Sequence, residues 1–297
     1  MIASRSRRSM LYMPASNSRA LEKAKTIPAD GLILDLEDAV SPDQKPVARA
    51  AALAAIASRA YGRRELLIRV NAVDTAWCAD DLAAAAKSGA AGIVLPKVNG
   101  PRDVQEVVRQ LERAGAPDSL VIWAMTETPR GVLAAADIAN VNASLTKPRL
   151  AGFIVGTADL AKDLRCAHPA DRAPMLYALQ HCILAARAFG ISVLDGVHVD
   201  LEDDAGFAAA CRQGRELGFD GKTLIHPKQI EVANAAFAPS PAEIDRAKRI
   251  VEAHRIARAD GKGVTLLDGR LVEVLHVAEA ERLLADAQLI AELAATN

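Results

Sequence analysis

Short aliphatic runs alternate with alanine-rich stretches of helical periodicity almost to the C-terminal quarter of this chain, and no other feature restricts its fold as much. Eight runs read as strands, at residues 9–13, 31–36, 66–70, 92–96, 120–125, 152–155, 191–193 and 223–225. Between them, residues 46–60, 78–88, 101–114, 175–189 and 206–217 place apolar side chains at helical spacing. Runs of the ILDL, LLIRV and IVLP kind are short and mostly apolar, as strands covered on both faces are. Eight such strand–helix units close an α/β fold of the (β/α)8 TIM barrel type more readily than they extend an open, doubly wound sheet.

After His226 the rhythm changes. A helix near 230–236, a proline-containing connection at 238–241 and a long helical pattern over 242–259 precede three glycines, Gly261, Gly263 and Gly269. These frame a hairpin, GVTLLDGRLVEVL, with Asp268 and Gly269 as its turn pair, and residues 277–290 read as a final helix. The expected organisation is a catalytic barrel over 1–237 and a C-terminal helical and hairpin extension over 238–297, acting as a lid or an oligomer contact.

At 297 residues the chain matches one barrel, and its 51% hydrophobic and 25% charged residues are an ordinary enzyme balance. A net charge of −1 gives no general attraction to nucleic acid or anionic lipid. No apolar stretch reaches membrane-spanning length, and the basic start MIASRSRRSM runs straight into folded-looking sequence, so the expected location is cytoplasmic. Cys78, Cys166, Cys182 and Cys211 lack paired spacing and read as buried or half-buried thiols of a reducing compartment.

The strand ends are polar where the strand bodies are not. Asp35, Glu37 and Asp38 follow one run, Arg69 and Asn71 another, and Lys97, Glu127, Asp159 and His226 later ones. In a parallel barrel all these ends meet at one rim, where barrel enzymes keep their catalytic groups. Glu127 and Asp159 stand about one β/α unit apart, placed to hold one divalent cation between adjacent strands. The competing use of the same residues is a salt bridge from Glu127 to Arg130 and a helix cap by Asp159. Arg69 either grips a substrate oxygen with its planar fork or pairs with Asp35 or Glu37. Period-two alternation puts Asp35 and Glu37 on one strand face, able to orient Arg69 and metal-bound water from behind, while Asp38 reads as structural.

In MPASNSRALEKA, Ser16 or Asn17 can cap a helix, and Arg19, Lys23 and Lys25 are available to phosphate groups or form a solvated helix face. His198 and His226 are proton carriers or structural histidines, the latter across the IHPKQ turn. No phosphate-binding glycine loop and no nucleophile elbow is present, which argues against nucleotide chemistry and serine hydrolysis.

The segments RRSMLYMPASN, DGLILDLEDAV, IRVNAVDT, GIVLPKV, TETPRG, GTADL and LGFDGKTLIHPKQI, in order from about Arg7, resemble the HpcH/HpaI aldolase and citrate lyase β-subunit superfamily. The chain looks closest to its CoA-thioester branch of malyl-CoA, β-methylmalyl-CoA and citramalyl-CoA lyases. The resemblance implies a barrel enzyme that uses Mg2+ or Mn2+ to make or break a carbon–carbon bond. It implies Glu127 and Asp159 as metal ligands, Arg69 as a substrate contact, and the segment around Arg19 and Lys25 near CoA phosphates. It further implies a homotrimer or hexamer whose C-terminal arm reaches a neighbouring site. Lyases of the branch often read DGKMIDxP in that arm, with the acidic residue as acid/base. This chain reads DGRLVEVL, which puts Glu273 there, one methylene longer, with Asp268 as the alternative.

The implied reaction is cleavage of a short carboxylated 3-hydroxyacyl-CoA to acetyl- or propionyl-CoA plus glyoxylate or pyruvate. The alternatives are a malyl-CoA thioesterase, a citrate lyase β subunit acting on an acyl-carrier-protein thioester, and a non-catalytic acyl-CoA-binding homologue.

Overall fold

The computed structural model describes residues 5–147 and 149–294, so the first four residues of the basic start lie outside the described residues. Eight strands form one closed barrel: β1 Ser9–Pro14, β2 Gly31–Asp35, β3 Glu65–Arg69, β4 Gly92–Leu95, β5 Val121–Met125, β6 Leu150–Ile154, β7 Ser192–Asp195 and β8 Gly221–Leu224. Each pairs in parallel with its sequence neighbour, and β1 closes the ring on β8. This is the α/β barrel that the repeat predicts. β6 and β8 each begin two residues before their expected starts at 152 and 223. In β6 the added Leu150 pairs with Ile122 of β5, whereas in β8 the added Gly221 and Lys222 show no apolar pattern and owe their strand character to backbone pairing with β7.

Side chains alternate as a covered parallel strand requires. Met10, Ile33, Leu67, Val94, Trp123, Ile154 and Leu194 fill the barrel interior. Leu32, Leu34, Ile68, Ile93, Ile122 and Phe153 face outward into the helix-packing core. Because Ile33 points inward, Asp35 and Glu37 follow it on the inner face at the C-terminal rim, as alternation predicts. All four cysteines are free thiols; Cys78, Cys182 and Cys211 are buried, and burial pushes each thiol up to about 11.

The chain divides into two compact units, the barrel over residues 7–237 and a second from Ala238 onward that also takes in residues 5–6. The second unit opens on the helix Pro241–Ala259, whose Ser240 cap and Glu243 form a reciprocal capping box. A hairpin follows, β9 Thr265–Leu267 against β10 Arg270–Val272, with Asp268 at φ +50° and Gly269 at φ +73° in the turn. These paired left-handed residues suit a tight two-residue hairpin. The last helix is longer than its apolar pattern suggests, Val274–Ala294, and starts immediately after Glu273. Among the described residues, no helix is long and apolar enough to cross a membrane.

Candidate active site

The register of β2 against β3 sets Asp35 beside Arg69 at the last paired position of both strands. There the carboxylate takes the fork: Arg69 Nε and Nη2 donate to the two oxygens of Asp35 at 2.7 and 2.6 Å. Nη1 stands 2.9 Å from Glu37 Oε2 and 3.6 Å from Asp38 Oδ2. Asp35 also accepts the backbone N–H groups of Glu37 and Ala39, so it shapes the turn out of β2 as well as holding the arginine. Buried Lys45 completes that turn by donating to the carbonyls of Leu36 and Glu37, both at 2.8 Å. The two sequence readings of Arg69 are therefore compatible: it is paired with Asp35 and Glu37, and it faces the cavity at the barrel mouth.

Glu127 leaves β5 nearly buried. Its Oε1 accepts the backbone N–H of Lys97 at 2.7 Å. Lys97 holds a left-handed φ of +53°, a conformation that costs a non-glycine residue free energy. Its ammonium reaches Glu37 Oε1 at 3.2 Å. On the other side Gly156 allows the close approach, since a β-carbon there would lie 2.5 Å from Glu127 Oε2. Thr128 caps the short helix Pro129–Leu133 by accepting the N–H of Gly131, which turns the chain away immediately after Glu127.

Asp159 lies in the first turn of the helix Thr157–Leu164, whose cap position belongs to Gly156. It is therefore inside the helix rather than its cap, in a position where the helix dipole favours a negative charge. Arg130 is exposed, and among the described residues it makes no ion pair with Glu127.

A cavity of about 430 Å³ opens between these groups, lined by Tyr12, Asp35, Asp38, Arg69, Glu127 and Asp159, with Met125, Ile154, Val197 and Ile225 giving it an apolar side. Desolvation raises Glu127 to about 7; the Lys97 N–H opposes that shift, while the charges of Glu37 and Asp159 add to it. Desolvation also raises Glu37, against the pull of Arg69. Burial works against the charge on Arg69, yet its bonds to Asp35 outweigh that cost and hold it above its ordinary range. Asp35, Glu37, Asp38, Glu127 and Asp159 outnumber the cations Arg69 and Lys97, a negative excess that a divalent cation would offset.

The donor chemistry fits such an ion. Glu127 and Asp159 offer hard carboxylate oxygens at the cavity wall, and among the described residues no group of three or more His, Cys, Asp or Glu side chains is placed to hold a metal ion. Two protein ligands leave coordination positions for water and substrate oxygens, the arrangement Mg2+ favours.

The remaining sequence candidates separate. Arg19 is exposed on the helix Ser18–Ala24, which Asn17 caps by accepting the N–H of Ala20. Lys25 donates to Glu22 at 2.5 Å on the same surface. His226 Nδ1 accepts the N–H of Lys228 across its own turn, the structural use. His198 lies 3.9 Å from Asp203, and burial, then Lys222, lowers its pKa. Glu273 belongs to the second unit, where its N–H donates to His276 Nδ1 at 3.0 Å and its carbonyl accepts from the first turn of the last helix. Asp268 is held by Arg249 at 2.5 Å. Asp38, which sequence reasoning treats as structural, is exposed at the cavity edge, and it is Asp35 that the backbone ties down. Tyr12 is the residue that sequence reasoning misses: the guanidinium carbon of Arg69 sits 4.8 Å from its ring centroid. An inward alternation from Met10 is the one signal that could have found it.

The chain belongs to the HpcH/HpaI aldolase/citrate lyase family, whose model matches residues 8–227. It is 47% identical over 289 residues to a (3S)-malyl-CoA thioesterase of Cereibacter sphaeroides, covering 97% of each chain. It is 34% identical to the citrate lyase subunit beta of Escherichia coli, covering 96% of this chain and 94% of that one. Among solved structures, the protein CitE of Mycobacterium tuberculosis, in complex with magnesium, acetoacetate and coenzyme A, superposes with a TM-score of 0.73 at 31% identity. That match covers 94% of this chain and 97% of the other.

Proposed function

We propose that this chain is a magnesium-dependent enzyme acting on a short carboxylated 3-hydroxyacyl-CoA of the malyl-CoA type. The observation that carries this reading is the opening of Glu127, Asp159 and Arg69 onto one cavity with an excess of negative charge. Glu127 and Asp159 hold the ion, with Mn2+ as the alternative, and the magnesium in the CitE complex supports the choice of metal. When bound, the ion supplies Lewis-acid polarisation of substrate oxygens and offsets the substrate carboxylate.

The residues around it do the positioning. Lys97 fixes one oxygen of Glu127 through its N–H and leaves the other directed toward the Gly156 side. Arg69, immobilised by Asp35 and Glu37, sets a positive charge at the cavity wall without having to reorganise as charge develops on a substrate oxygen. Glu273, from a neighbouring copy, is the acid/base candidate. Arg19 and Lys25 are the candidates for the CoA phosphates, and a homotrimer or hexamer is the expected assembly, readable by sedimentation.

Thioester hydrolysis is the reading that the malyl-CoA thioesterase relative supports. Water adds to the thioester carbonyl and loses a proton to the acid/base carboxylate; the carbon–sulfur bond breaks and the leaving sulfur takes that proton, giving malate and the CoA thiol. Carbon–carbon cleavage is the second reading, favoured by the citrate lyase relative. In it the same carboxylate takes the substrate hydroxyl proton, the bond beside the carbinol carbon breaks, and the acetyl-CoA enolate is then protonated.

Incubation with Mg2+ and (3S)-malyl-CoA, β-methylmalyl-CoA or either citramalyl-CoA stereoisomer, followed by mass spectrometry, decides between them. The intact hydroxy diacid with free CoA (malate from malyl-CoA) marks hydrolysis, and a 2-oxo acid with a shorter acyl-CoA (glyoxylate with acetyl-CoA from malyl-CoA) marks cleavage. Turnover by Glu127→Ala or Asp159→Ala equal to wild type, with unchanged Mg2+ affinity in calorimetry, would sink the site assignment.

A further inference from the structure

Tyr12 brings a hydroxyl into the cavity without a good partner there. The side chain projects inward from β1, paired in register with Ile33, one interior layer below Asp35. Among the described residues its hydroxyl has one partner, the Met125 sulfur at 3.8 Å, and a thioether is a weak acceptor. Its ring meanwhile packs on the guanidinium of Arg69 at 4.8 Å.

We propose that Tyr12 is a substrate-binding residue, whose hydroxyl donates a hydrogen bond to an acceptor oxygen of the carboxylated acyl group while its ring steadies Arg69. Three observations converge on this role. Tyr12 lines the same cavity as Arg69, Glu127 and Asp159. The fork of Arg69 is largely taken, with Nε and Nη2 on Asp35 and Nη1 beside Glu37, so the arginine supplies positive charge more than free directed donors. A neutral directed donor complements that charge, and desolvation keeps the phenol protonated despite the pull of Arg69. A site whose polar groups go unpaired without the right oxygen also discriminates against acyl groups that lack it.

This inference rests on the proposed function, and one experiment tests the two separately. (S)-Malate, which carries the whole acyl group of malyl-CoA, is titrated by calorimetry into Mg2+-saturated wild type, Tyr12→Phe and Tyr12→Leu. Tyr12→Phe keeps the ring on Arg69 and removes only the hydroxyl. The expected result is roughly tenfold weaker malate binding, a similar loss in kcat/KM on malyl-CoA, and Mg2+ affinity unchanged. Tyr12→Leu, which also removes the ring, loses more. Tyr12→Phe binding malate as tightly as wild type overturns the role of Tyr12 and leaves the proposed function standing. Wild type that binds no malate in the presence of Mg2+ overturns the acyl-site reading of the cavity, and Tyr12's role with it.

Discussion

Gly156 and Glu127 are packed so closely that a β-carbon on the glycine would stand 2.5 Å from one carboxylate oxygen and 2.6 Å from the glutamate's own β-carbon. The φ of Gly156 is −81°, an ordinary value for any residue, so the requirement for glycine is one of space and not of backbone conformation. Gly156→Ala is expected to push Glu127 off its position, weaken Mg2+ binding at least tenfold in calorimetry and destabilise the protein by about 1–3 kcal/mol. Gly100→Ala is the control, since nothing lies within 4 Å of a β-carbon there. Wild-type Mg2+ affinity in Gly156→Ala would show that Glu127 does not depend on this contact.

Arg69 is expected to resist even conservative replacement. A lysine cannot take both oxygens of Asp35 and also stand against Glu37, because it has no planar fork. Arg69→Lys should lose at least tenfold in kcat/KM. Arg69→Ala, which strands Asp35 and Glu37 as buried carboxylates, should cost about 3–5 kcal/mol in denaturant unfolding. Turnover of Arg69→Lys at the wild-type rate would remove the arginine from the site.

Stability without metal should fall as pH rises. Glu127 is raised from 4.5 to about 7 in the folded chain, so the folded state holds this proton more tightly than the unfolded state does. Its contribution is fully present below about 4.5, is lost as pH climbs through about 7, and is flat above, with Glu37 acting in the same direction. Mg2+ competes with that proton, so the rise in melting temperature on adding Mg2+ should be larger at pH 8 than at pH 6. Glu127→Gln should flatten most of the metal-free dependence, and an unchanged slope in this variant would assign it to other groups.

Glu273 carries the acid/base expectation into the second unit. Glu273→Ala should lower kcat by about 10²-fold or more while leaving Mg2+ affinity intact, and Glu273→Asp should retain most activity. Normal kcat in a folded Glu273→Ala protein would end this assignment.

The repeat of aliphatic run and alanine-rich helix determined the barrel, because eight strand–helix units cover their apolar faces in few other ways. Where the repeat weakened, so did the reading: β8 starts at Gly221 because backbone pairing with β7 continues through Lys222, whose ammonium Asp195 accepts at 2.8 Å. The positions of Glu127, Asp159 and Arg69 at one rim were legible as well, since parallel strands deliver their C-terminal ends to the same side.

What each of these residues does there was not legible, because it depends on contacts between segments remote in sequence. Only the folded barrel places the Lys97 N–H on Glu127, thirty residues on, and the Arg69 fork on Asp35, thirty-four residues back. The same contacts have Asp35 orienting Arg69, as alternation along β2 suggests, and leave Asp38, which reads as structural along the sequence, exposed at the cavity edge. Tyr12 shows the limit most clearly. Along the sequence it is one apolar-strand aromatic among inward-facing residues, and it becomes a group with its hydroxyl in a charged cavity only when β1 and β3 bring it against Arg69. Periodicity records which face a side chain takes, whereas its chemistry is set by neighbours that only three-dimensional packing supplies.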